Sequence, residues 1–441
     1  MLFLCIIVIM MNKKKLTIKN ARIINPKTNM DMVGDIFIED GRVAKLIPEN
    51  ERVGDDFPEG EIIDAKGMIA APGLVDIHVH FRDPGQTYKE DIETGARAAK
   101  AGGFTSVIMM ANTSPAVDSP EILKEVITKA EAQPINVYAS SAVSKGLKGF
   151  ELVDFDEMAK AGAAGFTDDG IPLMDVKLLT KAMEEASRLK MPISLHEEDP
   201  KYIENSGVNA GSVAESLGLA GAKREAEYTL IERDIKLAIK TGAQLDIQHI
   251  STKEGVDLVR KARKDHKNIH AEATPHHFTL TEEAVLKYKT LSKMNPPVRE
   301  EADRQAIIEG LKDGTIEFIA TDHAPHSAEE KSREFTKAPS GIIGLETSLA
   351  LGITELVKKG YLTLSDLIEK MSVNPAVLYK LDAGDISEGK IADIVIFDPN
   401  EKWTVNDFYS RSSNSPFVGW TLTGRVKYTI CGGMPVYIDK A

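Results

Sequence analysis

Residues 73–85 have the sequence Gly73-Leu-Val-Asp-Ile-His-Val-His-Phe-Arg-Asp-Pro-Gly85, an apolar run with two histidines near its end. Such a run is typical of a buried β-strand. Because alternate side chains of a strand lie on the same face, His78 and His80 would point to one side and could bind one metal ion. Imidazole nitrogen suits zinc and similar ions. Taken alone, a His-x-His pair is equally consistent with packed or surface histidines.

Composition limits the class of protein. The chain has 441 residues, 42% of them hydrophobic, which suffices for one large core and a smaller domain. Its formal net charge of −13 argues against nucleic acid or an anionic membrane as a partner, since both bind basic surfaces. The two cysteines, Cys5 and Cys431, provide no disulfide framework, as expected for a reducing cytoplasm. We therefore expect a soluble cytoplasmic protein of mixed α/β type.

Residues 1–11 form an N-terminal run that is almost wholly apolar. The run is about half as long as a membrane span, and its charges, Lys13-Lys14-Lys15, follow it instead of preceding it. A signal peptide or membrane anchor is therefore the less favoured alternative. We expect residues 1–11 to be an extension outside the fold, with Met11 as the natural first residue.

Short strands with alternating polarity occur at both ends of the chain. Near the N-terminus they cover residues 16–19, 21–24, 35–38 and 42–46. Asp40-Gly41 separates the last two and is a strong hairpin signal. The pattern returns at residues 392–397 and 425–431. We predict that residues 12–70 and 382–441 fold together as one small β-sandwich domain.

The pattern changes in residues 71–381, where strands alternate with helices. The eight candidate strands cover residues 74–78, 104–110, 135–143, 165–168, 192–196, 244–250, 268–274 and 316–321. Helical stretches separate most of them, for example residues 176–189. Eight βα units over roughly 300 residues predict a (β/α)8 TIM-like barrel. An open doubly wound sheet is the alternative, but its Gly-x-Gly-x-x-Gly motif does not follow an early strand.

Ligand-type residues stand at the ends of five predicted strands. In a barrel these ends meet on one face, which is where active sites lie. The residues are His78 and His80 after strand 1, Asp168-Asp169 after strand 4, His196 after strand 5, His249 after strand 6 and Asp322 after strand 8. Each aspartate alone is more typical of a cap or turn. Together the residues predict one metal site.

Four motifs carry a resemblance to a known family. They are His78-Val-His-Phe-Arg-Asp-Pro-Gly85, Gly165-Phe-Thr-Asp-Asp-Gly170, Ala320-Thr-Asp-His-Ala-Pro-His326 and Pro339-Ser-Gly-Ile-Ile-Gly-Leu-Glu346. Over residues 12–441 the chain resembles the dihydroorotase branch of the amidohydrolase superfamily, in its bacterial class I form. The resemblance implies a metal-dependent catalytic barrel in residues 71–381.

The resemblance also implies a metal site with one or two Zn²⁺ ions per chain. It assigns His78, His80 and Asp322 to one ion, His196 and His249 to a second, and the bridging carboxylate to Asp169. Many relatives bridge with a carbamylated lysine, but residues 165–170 contain no lysine, so an aspartate-bridged variant is implied. From the residues alone, Asp168 remains the alternative to Asp169.

The implied activity is the reversible cyclisation of N-carbamoyl-L-aspartate to (S)-dihydroorotate, with loss of water, in de novo pyrimidine biosynthesis. In the hydrolytic direction a metal-bound hydroxide would attack the ring amide, because zinc lowers the pKa of bound water to near neutral. Asp322 would carry the proton between this hydroxide and the ring nitrogen.

Arg82 is the residue that separates this branch from similar enzymes. Its planar guanidinium can pair bidentately with a substrate carboxylate, and the resemblance implies other residues at this point in hydantoinases and allantoinases. Five further substrate contacts are implied, at Asn112, Asn295, His326, Ser340 and Gly341. Asn295 precedes a proline and is equally consistent with a turn residue.

The expected partners are a small-molecule substrate, a second copy of the chain in a homodimer, and aspartate transcarbamoylase as a candidate for association. Two alternative functions remain. One is a hydantoinase or allantoinase, which would share the metal site but not the role of Arg82. The other is an inactive dihydroorotase-like scaffold for aspartate transcarbamoylase, which would be expected to lack some ligands.

Overall fold

The computed structural model describes residues 15–52 and 60–440. The predicted extension at residues 1–11 and Cys5 lie outside the described residues. The strands of these ranges, numbered in chain order, are β1 (Lys15–Asn25), β2 (Met30–Glu39), β3 (Arg42–Pro48), β4 (Glu61–Asp64), β5 (Ile69–Pro72), β6 (Leu74–Val79), β7 (Phe104–Met109), β8 (Asn136–Ala139), β9 (Ser141–Ala142), β10 (Phe166–Thr167), β11 (Pro192–Leu195), β12 (Gln244–Ile247), β13 (Ile269–Ala273), β14 (Phe318–Ile319), β15 (Ile394–Thr404), β16 (Thr421–Cys431) and β17 (Met434–Ile438).

Helices separate the strands from β6 to β15, except β8 and β9, which have only Ser140 between them. The α-helices of the described residues are Ile92–Ala101, Pro120–Ala130, Phe155–Lys160, Val176–Leu189, Ser212–Ser216, Glu225–Thr241, Lys253–Arg263, Pro275–Thr279, Ala284–Tyr288, Glu301–Asp313, Ala328–Lys331, Ser348–Leu351, Leu364–Ile368 and Asn374–Leu378. Two π-helical stretches, Gly352–Val357 and Glu369–Val373, continue the last part of this series. None of the helices in the described ranges is long and apolar enough to cross a membrane.

The helix Val176–Leu189 illustrates how sequence sets these elements. Asp175 caps its start by accepting a hydrogen bond from the backbone N–H of Leu178 at 3.0 Å. Its buried side chains recur three and four residues apart, which places them on the face toward the barrel: Leu179, Ala182, Met183 and Ala186. The helix predicted at residues 176–189 is thus confirmed.

The central strands form a closed ring of parallel neighbours. β6, β7 and β8 pair in that order, and β9 to β14 pair in sequence. The third predicted strand, residues 135–143, is split at Ser140 because it changes partner: β8 pairs with β7, and β9 with β10. The ring closes where the backbone N–H of His80 donates to the carbonyl of His323 at 2.9 Å. This arrangement agrees with the predicted (β/α)8 barrel.

Both chain ends fold into one β-rich sheet, as predicted. Its order is β17-β16-β15-β5-β1-β2-β3, and β4 pairs with β1. The predicted hairpin is present, with φ of 54° at Asp40 and 77° at Gly41. The sheet folds over on itself so closely that a Cβ added at Gly433 would lie 2.8 Å from the Cα of Gly41. The predicted sandwich is one continuous folded sheet, and the division at residues 70 and 382 stays a prediction.

The β-rich sheet is tied directly to the strand that carries the two histidines. β5 runs into β6 through Gly73, where a Cβ would lie 2.2 Å from Oγ1 of Thr105. Only glycine fits this crossing. β15 pairs antiparallel with β5, and its side chains Val395 and Phe397 join the main hydrophobic core. The position of β6 therefore depends on both parts of the molecule.

A buried ionic network holds the chain just after β12. The Glu227 carboxylate accepts hydrogen bonds from the backbone N–H and the hydroxyl of Ser251, the first at 2.9 Å. Arg299 donates to the Ser251 hydroxyl at 3.1 Å and lies 3.8 Å from Glu227. All three side chains are buried. Because His249 lies two residues before Ser251, this network fixes the backbone beside a predicted ligand.

We expect Glu227→Ala to lower the apparent free energy of unfolding by about 3–5 kcal/mol, because it removes the carboxylate that compensates the buried charge of Arg299. Urea unfolding followed by circular dichroism measures the change. Glu232→Ala on the same helix is the matched control, since its pair with Lys236 at 2.7 Å is exposed and such pairs contribute little. Equal unfolding midpoints for the two variants would contradict the role given to Glu227.

Candidate metal centre

Six ligand-type side chains converge at the C-terminal ends of the barrel strands. They follow or end β6, β10, β11, β12 and β14 and are all buried: His78, His80, Asp169, His196, His249 and Asp322. Contacts between their ring nitrogens and carboxylate oxygens span 2.9–3.8 Å. The structure thus brings together every residue that the sequence analysis assigned to metal.

His78, His80 and Asp322 form the first potential metal-binding group, with ligand atoms all within 4.8 Å of one another. Oδ1 of Asp322 lies 2.9 Å from Nε2 of His80 and 3.6 Å from Nε2 of His78. Ligand atoms around a tetrahedral zinc ion, with bonds of about 2.0–2.2 Å, lie roughly 3.4 Å apart. The spacing suits three ligands of one ion.

The second group is His78, Asp169 and His249. Oδ1 of Asp169 lies 3.5 Å from Nε2 of His78 and 3.8 Å from Nε2 of His249, and its Oδ2 lies 3.5 Å from Nε2 of His80. Nδ1 of His196 lies 3.0 Å from Nε2 of His249. Asp169 therefore stands between the two sets of histidines, as a bridging carboxylate would.

Nε2 of His78 shows that the arrangement fits a cation. This buried nitrogen has no hydrogen-bond partner among the described residues. Its nearest carboxylate oxygens, on Asp169 and Asp322, lie at 3.5 and 3.6 Å. Leaving a buried polar atom unpaired is costly, and a cation between these three groups would remove that cost. Imidazole and carboxylate are ligands that suit zinc and related ions.

Two glutamates orient the histidines from outside the site. Nδ1 of His78 lies 3.0 Å from Oε2 of Glu272, and Nε2 of His196 lies 3.1 Å from Oε2 of Glu198. Because a carboxylate accepts a hydrogen bond, each of these contacts orients the ring so that its opposite nitrogen faces the site. The sequence analysis missed both glutamates. The available signal was a carboxylate inside a buried strand, which Glu272 provides.

Asn112 has a different environment from the one expected. Its Oδ1 lies 2.9 Å from Nδ1 of His80, and its amide nitrogen donates to Oδ2 of Asp169 at 2.7 Å. The side chain borders the cavity where a substrate contact was predicted. Its polar atoms contact two predicted metal ligands, and the predicted contact of Asn112 with substrate stays a prediction.

Asp168 and Asp169 face opposite ways. The carboxylate of Asp168 accepts hydrogen bonds from the backbone N–H groups of Leu173 at 2.8 Å and of His196 at 3.1 Å. Burial raises the pKa of Asp168 to about 7. Asp169, not Asp168, lies among the ring nitrogens of the histidines, in agreement with the assignment that the resemblance implied.

Negative charge dominates the surroundings of His78. Burial by itself lowers its pKa, but the carboxylates of Glu272, Asp322 and Asp169 outweigh this and hold the pKa well above its usual range. The same carboxylates would stabilise any other cation placed beside the ring. The electrostatic field of the site is therefore suited to a divalent ion.

Three site residues have a left-handed backbone although none is glycine. Their φ angles are 55° at Arg82, 31° at His249 and 46° at Asp322. This region is unfavourable for residues with a side chain and persists only where the surroundings impose it. Its occurrence at three predicted functional residues indicates that the barrel holds their side chains at a cost in backbone energy.

The cavity beside the histidines has a volume of about 200 Å³ and is lined by predicted metal ligands. A larger cavity, of about 400 Å³, lies elsewhere and is lined by none of them. The walls of the cavity beside the histidines include five of the six residues predicted to contact substrate: Arg82, Asn112, Asn295, His326 and Ser340. Gly341 lies behind Ser340, and its backbone N–H already donates to the carbonyl of Lys293 at 2.9 Å.

Arg82 and His326 form one corner of this cavity. The guanidinium donates to the carbonyl of Pro325 at 3.3 Å, and Nη2 lies 3.4 Å from Nε2 of His326. Lys89, which the sequence analysis missed, lies with Nζ 3.3 Å from Nδ1 of His326. Burial, and then the charges of Arg82 and Lys89, lower the pKa of His326 far below its usual range, so the ring is neutral.

Comparison with known proteins agrees with this geometry. The model of the Amidohydrolase family matches residues 69–436. A dihydroorotase of Clostridioides difficile strain 630 is 57% identical over 95% of this chain and 99% of its own length, and a dihydroorotase of Clostridium acetobutylicum is 52% identical over 96% and 99%. In three dimensions, the chain resembles an L-hydantoinase of Arthrobacter aurescens with TM-score 0.86 and 25% identity, over 97% of both chains. The chain therefore belongs to the amidohydrolase family, within its dihydroorotase branch.

Proposed function

We propose that this protein catalyses the reversible cyclisation of N-carbamoyl-L-aspartate to (S)-dihydroorotate in pyrimidine biosynthesis. One observation carries the proposal: the guanidinium of Arg82 borders the same small cavity as the cluster of histidines and aspartates. The C. difficile and C. acetobutylicum relatives support it, since both carry this activity in their names.

The metal ligands are proposed as follows. His78, His80 and Asp322 would hold one ion, His196 and His249 would hold a second, and Asp169 would contribute its carboxylate between the two sets. The ion is zinc, with one or two ions per chain. In sites without cysteine, zinc is usually bound by imidazole nitrogens and carboxylate oxygens. When bound, zinc supplies Lewis-acid chemistry by acidifying a water and polarising a carbonyl oxygen.

Arg82 binds the carboxylate that both substrate and product carry. Burial lowers its pKa, but an arginine side chain in a protein keeps its charge. Its fork can donate two parallel hydrogen bonds to one carboxylate, which fixes the orientation of the ring as well as its position. His326 lies beside Arg82 and is neutral. It therefore adds a polar side chain to the cavity wall without a second positive charge.

Asn295 and the backbone at Ser340-Gly341 border the ring of the substrate. The hydroxyl of Ser340 donates to Oδ1 of Asn295 at 2.9 Å, which leaves the amide N–H groups of Asn295 to donate to a ring carbonyl. With Arg82 at one side and Asp322 at the other, these groups hold the reacting amide toward the aspartate.

Asp322 moves the proton. In ring opening it takes a proton from the attacking water and delivers it to the ring nitrogen as the C–N bond breaks. In ring closure the proton moves the opposite way through the same group. The carboxylate lies on the cavity wall and is held 2.9 Å from His80, so its position is fixed before substrate binds.

The alternative functions have weaker support. Hydantoinases share the fold, but a cyclic amide without a carboxylate would leave the partly buried charge of Arg82 without a substrate partner. An inactive scaffold would not need six ligand-type side chains converging at the ends of the barrel strands. We further propose that the protein is a cytoplasmic homodimer. Association with aspartate transcarbamoylase is to be tested by co-purification of the two proteins.

The purified protein should interconvert N-carbamoyl-L-aspartate and dihydroorotate and show little activity on hydantoin or allantoin. Arg82→Lys keeps the charge but loses the fork, so KM for dihydroorotate should rise roughly tenfold to a hundredfold. Ultraviolet absorbance of the dihydroorotate ring measures the interconversion and its KM. Robust turnover of allantoin with none of dihydroorotate would reject the function, and an unchanged KM would remove Arg82 from carboxylate binding.

His249→Ala should lower the metal content per chain and the activity together, because it removes a nitrogen ligand. His270→Ala is the matched control: this histidine lies on β13 with Nδ1 2.6 Å from Glu317, away from the cavity. Elemental analysis of the purified variants gives the metal content. Full metal loading in His249→Ala would show that the residue is structural.

Asp322→Asn should reduce kcat by about a hundredfold to ten-thousandfold, the usual contribution of general acid–base catalysis. The amide keeps an oxygen ligand but cannot accept a proton as a carboxylate does, so metal content should fall much less than kcat. Steady-state kinetics normalised to bound metal separate the two effects. A variant that keeps its metal and works within a few-fold of the unmodified protein would leave Asp322 as a ligand only.

A further inference from the structure

The segment of residues 409–415 crosses from the β-rich sheet onto the barrel. It lies between β15 and β16 and is called the bridging segment below. Its first residues bind to the barrel through Glu346, whose carboxylate accepts the backbone N–H groups of Tyr409 at 2.8 Å and Ser410 at 3.0 Å. A part of the chain that belongs to neither the strands nor the helices of the barrel is thus bonded to the barrel.

The bridging segment contacts the two loops that form the Arg82 corner of the cavity. On the loop after β6, the hydroxyl of Ser412 donates to the carbonyl of Lys89 at 2.7 Å, and the backbone N–H of Arg411 donates to Glu90 at 3.1 Å. On the loop after β14, the backbone N–H of Ile343 donates to the carbonyl of Asn414 at 3.1 Å. One segment is therefore bonded to both loops.

Asn414 is the most fully engaged residue of the bridging segment. Its Oδ1 accepts the backbone N–H of His326 at 3.0 Å, and its amide nitrogen donates to the carbonyls of Ala324 and Gly341, each at 3.0 Å. The side chain is buried. Both amide protons and one oxygen are thus used to hold three points of the loop that carries His326 and Ser340.

His326 is held in one form by its neighbours. An ammonium group only donates, so Nδ1 of His326 accepts from Lys89 and the proton lies on Nε2, which donates to the carbonyl of Ser340 at 2.8 Å. His326 and Ser340 both line the cavity. Asn414 is bonded to the backbone of His326 and to that of Gly341, the residue after Ser340. A shift of the Asn414 side chain would therefore move His326 and Ser340 together.

We propose that Asn414 is a positioning residue for substrate binding: through the backbone of His326 and Gly341 it sets the corner of the cavity in which Arg82 meets the substrate carboxylate. This inference rests on the proposed function. Asn414 itself does not line the cavity, and Gly341 keeps a second bond to Nζ of Lys331 at 3.0 Å. Loss of the amide should therefore shift the loop without unfolding it.

The test compares the unmodified protein, Asn414→Ala and Asn25→Ala, each with its metal. Asn25 is the matched control because it is a buried asparagine of the β-rich sheet, bonded to Asp385 at 3.0 Å and remote from the cavity. Asn414→Ala should raise KM for dihydroorotate roughly tenfold to a hundredfold, since small misplacements of binding groups have effects of this size. Its metal content should stay the same and kcat should change less than KM. Asn25→Ala should leave KM unchanged.

Hydrogen–deuterium exchange of a peptide covering residues 324–344 provides a readout that does not depend on turnover. Exchange should be faster in Asn414→Ala than in the unmodified protein and unchanged in Asn25→Ala. If Asn414→Ala does not fold, Asn414→Asp replaces it, which keeps the bond to His326 but loses both donated bonds.

The outcomes separate the two proposals. An active unmodified protein with the same KM in the Asn414 variant overturns the positioning role and leaves the function intact. An unmodified protein that does not turn over dihydroorotate rejects the function. In that case exchange decides alone, and equal exchange in the variant and the unmodified protein overturns the positioning role.

Discussion

Buried charge at the ends of the barrel strands is the constraint on which the rest of this structure depends. Two carboxylates and four imidazoles lie there out of solvent, with contacts of 2.9–3.8 Å. Removing such groups from water is costly unless opposite charge and hydrogen bonds compensate. A bound cation is the simplest compensation. The ring of strands, the outer glutamates and the closure between β6 and the segment after β14 all serve to hold these groups at one point.

Rigidity around the site is obtained from several separate contacts. The backbone is left-handed at Arg82, His249 and Asp322. This conformation is unfavourable for residues with a side chain, so the surrounding structure must impose the orientation of these three side chains. Glu227 and Arg299 fix the loop beside His249. The hydrogen bond from the backbone of His80 to that of His323 fixes the chain beside Asp322. The arrangement is a preorganised one, in which the energy of orienting ligands is provided by folding and not by substrate binding.

Local regularities explain how much of this was predictable. The barrel strands, the helix Val176–Leu189 and the Asp40-Gly41 hairpin each follow from a pattern within a few residues. Strand ends in a barrel share one face, so seven ligand-type residues, including both Asp168 and Asp169, could be grouped from the sequence alone. The choice of Asp169 over Asp168 needed resemblance, because both residues satisfy the same local rule.

What sequence could not provide depends on contacts between distant parts of the chain. The split of the third strand at Ser140 reflects a change of partner that no local pattern records. Glu272 meets His78 across 194 residues, and Asn414 meets His326 across 88. The engagement of Asn112 with His80 and Asp169 was hidden for the same reason, since an asparagine after a strand fits a substrate contact and a ligand support equally well.

The pairing of β15 with β5 has a consequence for how the enzyme is made. A ribosome releases the N-terminal strands first, yet the sheet that anchors β6 is completed only when residues 394–438 have left the exit tunnel. All six ligand-type residues are synthesised long before this point. All six ligand-type side chains are therefore present on the nascent chain before β6, the strand that positions His78 and His80, has its complete anchoring sheet.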